Sequence, residues 1–225
     1  MEMMEPISHD VAFLGRHSSG IQLRFKTNSR VVKFIVTNHD VYEMKNMTFI
    51  GSSGFDSYYR EDDKSPFKFH TSTLPLMLGE RKWLAYPIHW YYQKDREYII
   101  NFPLFNGVEK LEIGIEKGAY IEPVSRSLKK KILCYGTSIL QGASCSRPGI
   151  CITNQVSRYF DQEVYNLAFS GAAMLEKEVA SIIASVDDLE FISIDAEANA
   201  GIDDKLVKRF DEFIKTILDK RSDLP

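Results

Sequence analysis

The chain has 225 residues, of which 44% are hydrophobic and 26% charged, and its formal net charge is −3 at pH 7. This length allows one large domain or two small ones, and the composition is ordinary for a globular protein. The small negative charge provides no field that would attract nucleic acid or an anionic membrane, and no run of about 18 apolar residues predicts a membrane span. We therefore expect neither a nucleic-acid nor a membrane partner.

The amino terminus and the cysteines bear on the compartment. Residues 1–6 contain no basic segment followed by an apolar one, so they do not resemble a secretion signal. Cys134, Cys145 and Cys151 form no metal-ligand spacing, and their odd number does not favour a disulfide framework. We expect a cytoplasmic protein without metal, and a secreted or periplasmic one if the natural start lies further upstream.

From about residue 11 to 122 the sequence predicts β structure, because short apolar runs alternate with turn-forming residues. Ile21 to Lys26 shows this alternation most clearly. The strand candidates are residues 21–26, 31–36, 48–50, 57–59, 83–86, 98–102 and 111–115. Several short strands at this spacing favour a β-sandwich or jelly roll, so we predict an accessory domain over residues 1–122.

The aromatic residues of this half allow two interpretations. Trp83, Trp90, Tyr91 and Tyr92 could form a platform on which sugars stack. We favour a role in the core or an interface, because aromatic side chains dominate both environments.

From about residue 130 the period changes to alternating strands and helices, after a predicted linker at residues 123–130. Residues 132–135, 164–169 and 191–194 are predicted strands, and residues 176–186 and 203–221 are predicted helices. Asp203 or Asp204 is the expected cap of the last helix. This alternation predicts a parallel sheet covered by helices over residues 131–225.

Residues that can offer a hydroxyl, a backbone amide or a carboxamide follow all three strands of this predicted sheet. Ser138 comes after the first, Gly171 after the second and Asn199 after the third. The carboxyl ends of parallel strands meet at one sheet edge, where ligands bind in open α/β sheets. Acyl transfer needs a nucleophile together with donors for the oxygen that becomes negative. The expected donors are the N–H groups of Ser138 and Gly171 and the side-chain amide of Asn199.

These blocks resemble the SGNH (GDSL-type) hydrolases. The similarity is carried by Gly136-Thr137-Ser138-Ile139 with Gly142, by Ser146-Arg147-Pro148-Gly149, by Asn166-Leu167-Ala168-Phe169-Ser170-Gly171, and by Asp195 with Asn199. Gly51-Ser52-Ser53-Gly54-Phe55-Asp56-Ser57-Tyr58 is similar to the Gly-x-Asp-Leu-Tyr signature of the subgroup that has an N-terminal β-sandwich.

The resemblance implies an N-terminal β-sandwich followed by a truncated parallel α/β domain of the flavodoxin-like, three-layer kind. It implies ester hydrolysis without a cofactor, with acylated carbohydrates as the commonest substrate. Ser138 would be the nucleophile, and Gly171 and Asn199 would belong to the oxyanion hole. The substrate is expected to be a small-molecule or glycan ester.

One part of the family pattern is missing. The resemblance implies an Asp-x-x-His near the carboxyl terminus, whose histidine takes the serine proton, and this sequence contains no such motif. Its five histidines all lie in the β-rich half. A serine hydroxyl without a base is a weak nucleophile at neutral pH, so we expect impaired activity from this chain. His89 is the histidine of most interest, although a structural role for it is favoured.

Three further side chains have expected structural roles. Arg147 is expected to anchor its loop through a carboxylate such as Glu176. Asp195 and Glu197 could form an acid–base pair, but we favour a role for Asp195 in organising the Asn199 loop.

Two other functions remain open at this stage. The chain could be a carbohydrate-binding remnant of a hydrolase, or it could need a second polypeptide or its own copy to cover an open edge of the parallel sheet. The second possibility predicts a homo-oligomer through that edge.

Overall fold

The computed structural model describes residues 7–77, 79–126, 129–202 and 204–224. Within these residues the chain forms a mixed α/β structure with three sheets. No helix in the described part is both long enough and apolar enough to cross a bilayer.

The first half begins with a short helix and continues mainly as antiparallel strands. Its helices and strands are α1 (His9–Leu14), β1 (Gln22–Thr27), β2 (Val31–Asn38), α2 (Phe49–Ser53), β3 (Phe55–Arg60), β4 (Lys68–Thr73), β5 (Lys82–His89), β6 (Arg96–Asn101), β7 (Val108–Ile115) and β8 (Ile121–Pro123). They form a five-stranded sheet of order β4-β3-β6-β1-β8 and a three-stranded sheet of order β5-β2-β7.

The two antiparallel sheets share one apolar core. Phe25 and Tyr98 come from the larger sheet, and Phe34 and Trp83 from the smaller one. Strand β2 alternates half-buried and fully buried residues along its whole length, as a strand with one face on a core should.

The second half contains the parallel sheet. Its helices and strands are β9 (Lys131–Gly136), α3 (Ser138–Gln141), α4 (Ile152–Phe160), β10 (Glu163–Ala168), α5 (Lys177–Ala184), β11 (Leu189–Asp195), α6 (Glu197–Ala200) and α7 (Asp204–Leu218). The strand order is β10-β9-β11, and both pairings are parallel. Among the described residues, β11 pairs with β9 alone.

The predicted helices and strands of the second half are confirmed to within a few residues at their ends. One strand prediction in the first half is wrong, because residues 49–53 form helix α2. The hydroxyl of Thr48 accepts the N–H of Gly51 at 3.1 Å and thereby starts a helical turn. Helices α1, α3, α4 and α6 and strands β4 and β8 were not predicted. The expected cap by Asp203 or Asp204 lies outside the described residues.

Candidate functional site

The three strands of the parallel sheet end side by side. Gly136, the last residue of β9, is paired with Ala168 of β10 and with Asp195 of β11. The loops that carry Ser138, Gly171 and Asn199 therefore leave the same edge of the sheet, as the sequence predicted.

The turn after β9 is held by Asp195. A side chain at Gly136 would place its Cβ 2.6 Å from the carbonyl oxygen of Asp195, so only glycine allows this close approach. The N–H of Thr137 donates to the same carbonyl at 2.9 Å, and its hydroxyl donates to the carboxylate Oδ2 at 2.9 Å. The half-buried Ser138 is thus fixed as the first residue of α3.

These contacts revise the expected role of Asp195. The structure attaches its carboxylate to Thr137 in the β9 turn. Glu197 is exposed at the start of α6. The side-chain hydrogen bond of Asp195 therefore organises the loop of Ser138, whereas the loop of Asn199 is held by other contacts.

Gly171 and Ser138 present free backbone donors. Among the described residues, neither N–H group donates to an acceptor. Gly171 has φ of +72°, it is exposed, and no atom lies within 4 Å of the position where a Cβ would stand. Space is therefore open beside this residue.

Asn199 is fixed close to the loop of Gly171. Its Nδ2 donates to the carbonyl of Phe169 at 3.3 Å, two residues before that glycine. An amide nitrogen carries two hydrogens, so one N–H remains for another acceptor. Three donors from three loops are thereby available along one edge.

Gln141 is a residue of this region that the sequence analysis missed. Its buried side chain accepts the N–H of Ser170 at Oε1, at 2.8 Å, so it holds the residue that precedes Gly171. Its Nε2 lies 3.2 Å from Nδ1 of His17. The one signal for it in the sequence was its position three residues after Ser138, which places both side chains on the same side of a helix.

His17, and not His89, is the histidine that lies near this edge. His89 is exposed and has an edge contact with Tyr91. The ring of His17 packs at 5.0 Å from Phe13, and burial lowers its pKa to about 4. Its Nδ1 faces the donor nitrogen of Gln141, which requires a neutral ring that accepts a hydrogen bond.

The loop after α3 is fastened to the antiparallel half by the Gly-Phe-Asp-Ser-Tyr segment. Asp56 is fully buried and accepts the N–H of Gly149 at 2.8 Å and Nδ2 of Asn101 at 2.7 Å. Burial raises the pKa of Asp56. A Cβ at Gly149 would lie 2.4 Å from Cε2 of Tyr58, so the signature and the glycine fit each other.

Arg147 has the structural role that was expected, with a different carboxylate. Its Nε lies 3.3 Å from Asp56, and its Nη2 donates to the hydroxyl of Tyr58 at 2.9 Å. Glu176 instead accepts the hydroxyl of Tyr135.

The four aromatic residues expected in the core or an interface divide into two pairs, because the tryptophans pack against neighbouring side chains whereas Tyr91 and Tyr92 are exposed. Trp83 is 3% exposed within the shared core. The ring of Trp90 is covered by the guanidinium of Arg96 at 3.9 Å and stacks on His70 at 4.5 Å. These contacts leave little of either ring for a sugar, whereas Tyr91 is 92% exposed.

The edge as a whole offers a hydroxyl and several hydrogen-bond donors. Such a set can attack a carbonyl carbon and stabilise the negative oxygen that results. Within the part of the chain that the structure describes, no histidine or carboxylate forms a hydrogen bond with the Ser138 hydroxyl. The described site therefore contains no evident general base.

Two family models match this sequence. Residues 2–121 match the GxDLY domain, described as the N-terminus of the SGNH-hydrolase-type esterases. Residues 129–225 match the GDSL-like lipase/acylhydrolase family.

Solved structures agree with these matches. A protein from Bacteroides ovatus ATCC 8483 assigned as a GDSL-like lipase is 30% identical, with a TM-score of 0.88, over 98% of this chain and 64% of its own. The salicylyl-acyltransferase SsfX3 from a tetracycline biosynthetic pathway is 18% identical, with a TM-score of 0.71, over 95% of this chain and 62% of its own. A family two carbohydrate esterase from Cellvibrio japonicus is 13% identical, with a TM-score of 0.61, over 92% of this chain and 69% of its own. The chain thus spans less than two thirds of the length of the first two proteins.

One curated protein gives a match of another kind. The SsrA-binding protein of a Nitratiruptor species is 26% identical over 141 residues, which is 56% of this chain and 85% of that protein. The two family models together cover far more of the sequence and agree with the solved structures. The chain belongs to the SGNH-hydrolase-type esterases, with a GxDLY N-terminal domain followed by a GDSL-like lipase/acylhydrolase domain.

Proposed function

We propose that the protein is a serine esterase or acylhydrolase that cleaves short acyl groups from carbohydrate-type esters. The observation that carries the proposal is the convergence of Ser138, Gly171 and Asn199 at the carboxyl edge of one parallel sheet. We also infer the architecture of a β-sandwich followed by a flavodoxin-like α/β domain.

In the proposed mechanism the Oγ of Ser138 attacks the ester carbonyl carbon and loses its proton to a base. The carbonyl oxygen becomes negative and is held by the N–H groups of Ser138 and Gly171 and by Nδ2 of Asn199. Collapse of this intermediate breaks the bond to the alcohol, which leaves with a proton. Water then hydrolyses the acyl-serine and regenerates the hydroxyl.

The substrate class rests on similarity. The family matches support ester chemistry, and two structurally similar proteins are family two carbohydrate esterases, from Clostridium thermocellum and Cellvibrio japonicus. Their identities of 10% and 13% support a shared fold, so the carbohydrate is our proposal for this chain.

We further propose that the 225-residue chain hydrolyses esters slowly. Its sequence has no Asp-x-x-His, and no described base contacts Ser138. Enzymes of this kind that lose one member of a catalytic triad retain about 10³–10⁴-fold acceleration over water, from oxyanion stabilisation and binding. Residual turnover of that order is the expectation here.

The test is hydrolysis of p-nitrophenyl acetate and of an acetylated xylo-oligosaccharide, with and without added imidazole as an external base. Ser138→Ala should reduce the rate to that of imidazole alone. Ser146→Ala, which changes an exposed serine eight residues further on, should leave the rate unchanged. Imidazole should increase the part of the rate that depends on Ser138.

Equal rates for the wild type and Ser138→Ala would contradict the proposal. A wild type that binds the oligosaccharide but hydrolyses nothing, even with imidazole, would instead favour the carbohydrate-binding remnant.

A further inference from the structure

A polar pocket of about 250 Å³ lies at one end of the antiparallel half. It is formed by three turns, which join β1 to β2, β5 to β6 and β7 to β8. The residues that matter here are Arg30, Tyr91, Tyr92, Gln93, Glu116 and Lys117. Two tyrosine rings therefore stand beside side chains that form hydrogen bonds.

This pocket is separate from the proposed catalytic edge. Tyr92 packs beside Arg96, the first residue of β6, with its ring centroid 4.9 Å from the guanidinium carbon. The segment after the other end of β6 contacts α3, since Nε2 of Gln141 lies 3.5 Å from the carbonyl oxygen of Leu104. The six residues of β6 extend about 20 Å, at about 3.3 Å per residue. A ligand in the pocket therefore occupies a site of its own.

The three turns are fastened to one another by hydrogen bonds. The backbone N–H of Arg30 donates to Oε2 of Glu116 at 2.7 Å, and Nη2 of the same arginine donates to Oε1 at 2.7 Å. The N–H of Trp90 donates to the carbonyl of Arg30 at 2.8 Å. The hydroxyl of Tyr120 donates to Asp95 at 2.9 Å. A pocket that is formed in advance loses less conformational freedom when its ligand binds.

The two tyrosine rings offer a surface to a ligand. Tyr91 is 92% exposed and Tyr92 is 55% exposed. The ring of Tyr92 is supported by the buried guanidinium of Arg96, and the ring of Tyr91 has an edge contact with His89. Single exposed apolar side chains are common on protein surfaces, whereas two adjacent exposed rings within a pocket are not. The negative face of an aromatic ring attracts C–H groups such as those of a sugar ring.

The polar side chains match hydroxyl groups better than they match an ion. A hydroxyl both donates and accepts, and here Lys117 donates, Glu116 accepts and the amide of Gln93 does both. Arg30 and Glu116 form an ion pair at 2.7 Å, so one positive charge, that of Lys117, is left. A single exposed charge attracts an anion only weakly, and it repels a cation. A neutral ligand with several hydroxyl groups fits this environment.

From these observations we infer that this pocket binds a neutral sugar unit of a glycan chain. The sugar ring stacks on Tyr91, and its hydroxyl groups form hydrogen bonds with Gln93 and Glu116. The site holds a glycan on the protein and takes no part in hydrolysis. The inference goes beyond the proposed function, because the pocket and the edge that carries Ser138 lie at opposite ends of β6.

The test is an NMR titration of the 225-residue chain with neutral hexasaccharides of β-linked glucose, xylose, mannose or galactose. At least one of them should bind saturably and shift the backbone amide signals of Tyr91, Gln93 and Lys117. Tyr91→Ala removes the stacking surface and should weaken that binding about fivefold, within the range that one aromatic contact contributes. Gln93→Ala should also weaken it, because the sugar hydroxyls lose a partner.

Two controls make the test specific. Tyr159→Ala removes a tyrosine on α4 of similar exposure, 83% against 92% for Tyr91, that does not line the pocket. This variant should bind the hexasaccharide as the wild type does. A hexamer of galacturonic acid should bind no more tightly than the best neutral hexasaccharide. Tighter binding of the acidic hexamer would overturn the assignment to a neutral glycan.

The inference is also overturned if none of the neutral hexasaccharides binds, if binding shifts only the signals of the loops that carry Ser138 and Gly171, or if Tyr91→Ala and Gln93→Ala bind like the wild type. The proposed function is judged separately, by the effect of Ser138→Ala on hydrolysis. Binding in this pocket needs no turnover, so either idea can fail while the other stands.

Discussion

Acidification should destabilise this protein through His17. The ring of this histidine is packed among aromatic side chains, and burial lowers its pKa from 6.5 to about 4, against the opposing charge of Asp40. Its Nδ1 lies 3.2 Å from the Nε2 donor of Gln141. Protonation of Nδ1 would therefore place one N–H donor against another. The neutral ring is therefore required in the folded state.

The sign and size follow from the two pKa values. Between pH 6.5 and 4 the unfolded chain binds a proton at His17 that the folded chain does not, so stability falls as the pH falls through this range. One pKa unit corresponds to about 1.36 kcal/mol, so the full difference is about 3 kcal/mol. From pH 7.5 to 5.0 the expected loss from this residue is about 2 kcal/mol.

The measurement is the free energy of unfolding from urea titrations at pH 7.5, 6.0 and 5.0. Between pH 7.5 and 5.0, His17→Gln should lose about 2 kcal/mol less of its free energy of unfolding than the wild type loses, whatever its stability at pH 7.5. His9→Gln changes a histidine whose side chain is 95% exposed, and it should follow the wild type. Parallel pH curves for the wild type and His17→Gln would refute the reasoning.

Three further predictions concern the joint between the halves, the oxyanion site and the sheet edge. Gly149→Ala should lower the free energy of unfolding by about 1–3 kcal/mol in urea titrations, because its methyl would lie 2.4 Å from a ring carbon. Gly114→Ala is the control, because the added Cβ would have its nearest contact at 3.9 Å, and it should change the free energy of unfolding little. Equal losses of stability in the two variants would argue against a close fit between Gly149 and Tyr58. Asn199→Ala should reduce the Ser138-dependent hydrolysis rate about 10²–10³-fold. Because the variant also loses the hydrogen bond to Phe169, its free energy of unfolding should fall by about 0.5–1.5 kcal/mol. A wild-type rate would remove this donor from the mechanism. If β11 pairs with a second copy, light scattering should show a mass that rises with protein concentration. Phe191→Lys on β11 should abolish this rise. Phe160→Lys on α4 is the control and should not abolish it, because Phe160 is similarly exposed, at 56% against 52% for Phe191.

Much of the fold could be predicted because its patterns are local. The alternation along β1 and β2 and the apolar stripes of α5 and α7 each reflect a single element facing a core. The error at residues 48–50 also has a local cause. Three apolar or β-favouring residues resemble a strand, but the capping hydroxyl of Thr48 decides for a helix.

The candidate site was predictable in part for a topological reason. Once three strands are known to be parallel, their carboxyl ends must meet, so Ser138, Gly171 and Asn199 could be grouped from their positions alone. The partners of the polar side chains could not. Asp195 contacts Thr137 and Arg147 contacts Asp56, and neither pairing has a signal in the spacing of the residues.

The sequence by itself determined the alternation of strands and helices in the second half, the sheet edge to which Ser138, Gly171 and Asn199 belong, and the absence of an Asp-x-x-His motif. These properties depend on residue type and on short spacings along the chain. Only the tertiary structure decided that His17 contacts Gln141 and that Gln141 holds the loop before Gly171. His17 and Gln141 are 124 positions apart and meet because two independently patterned halves pack together.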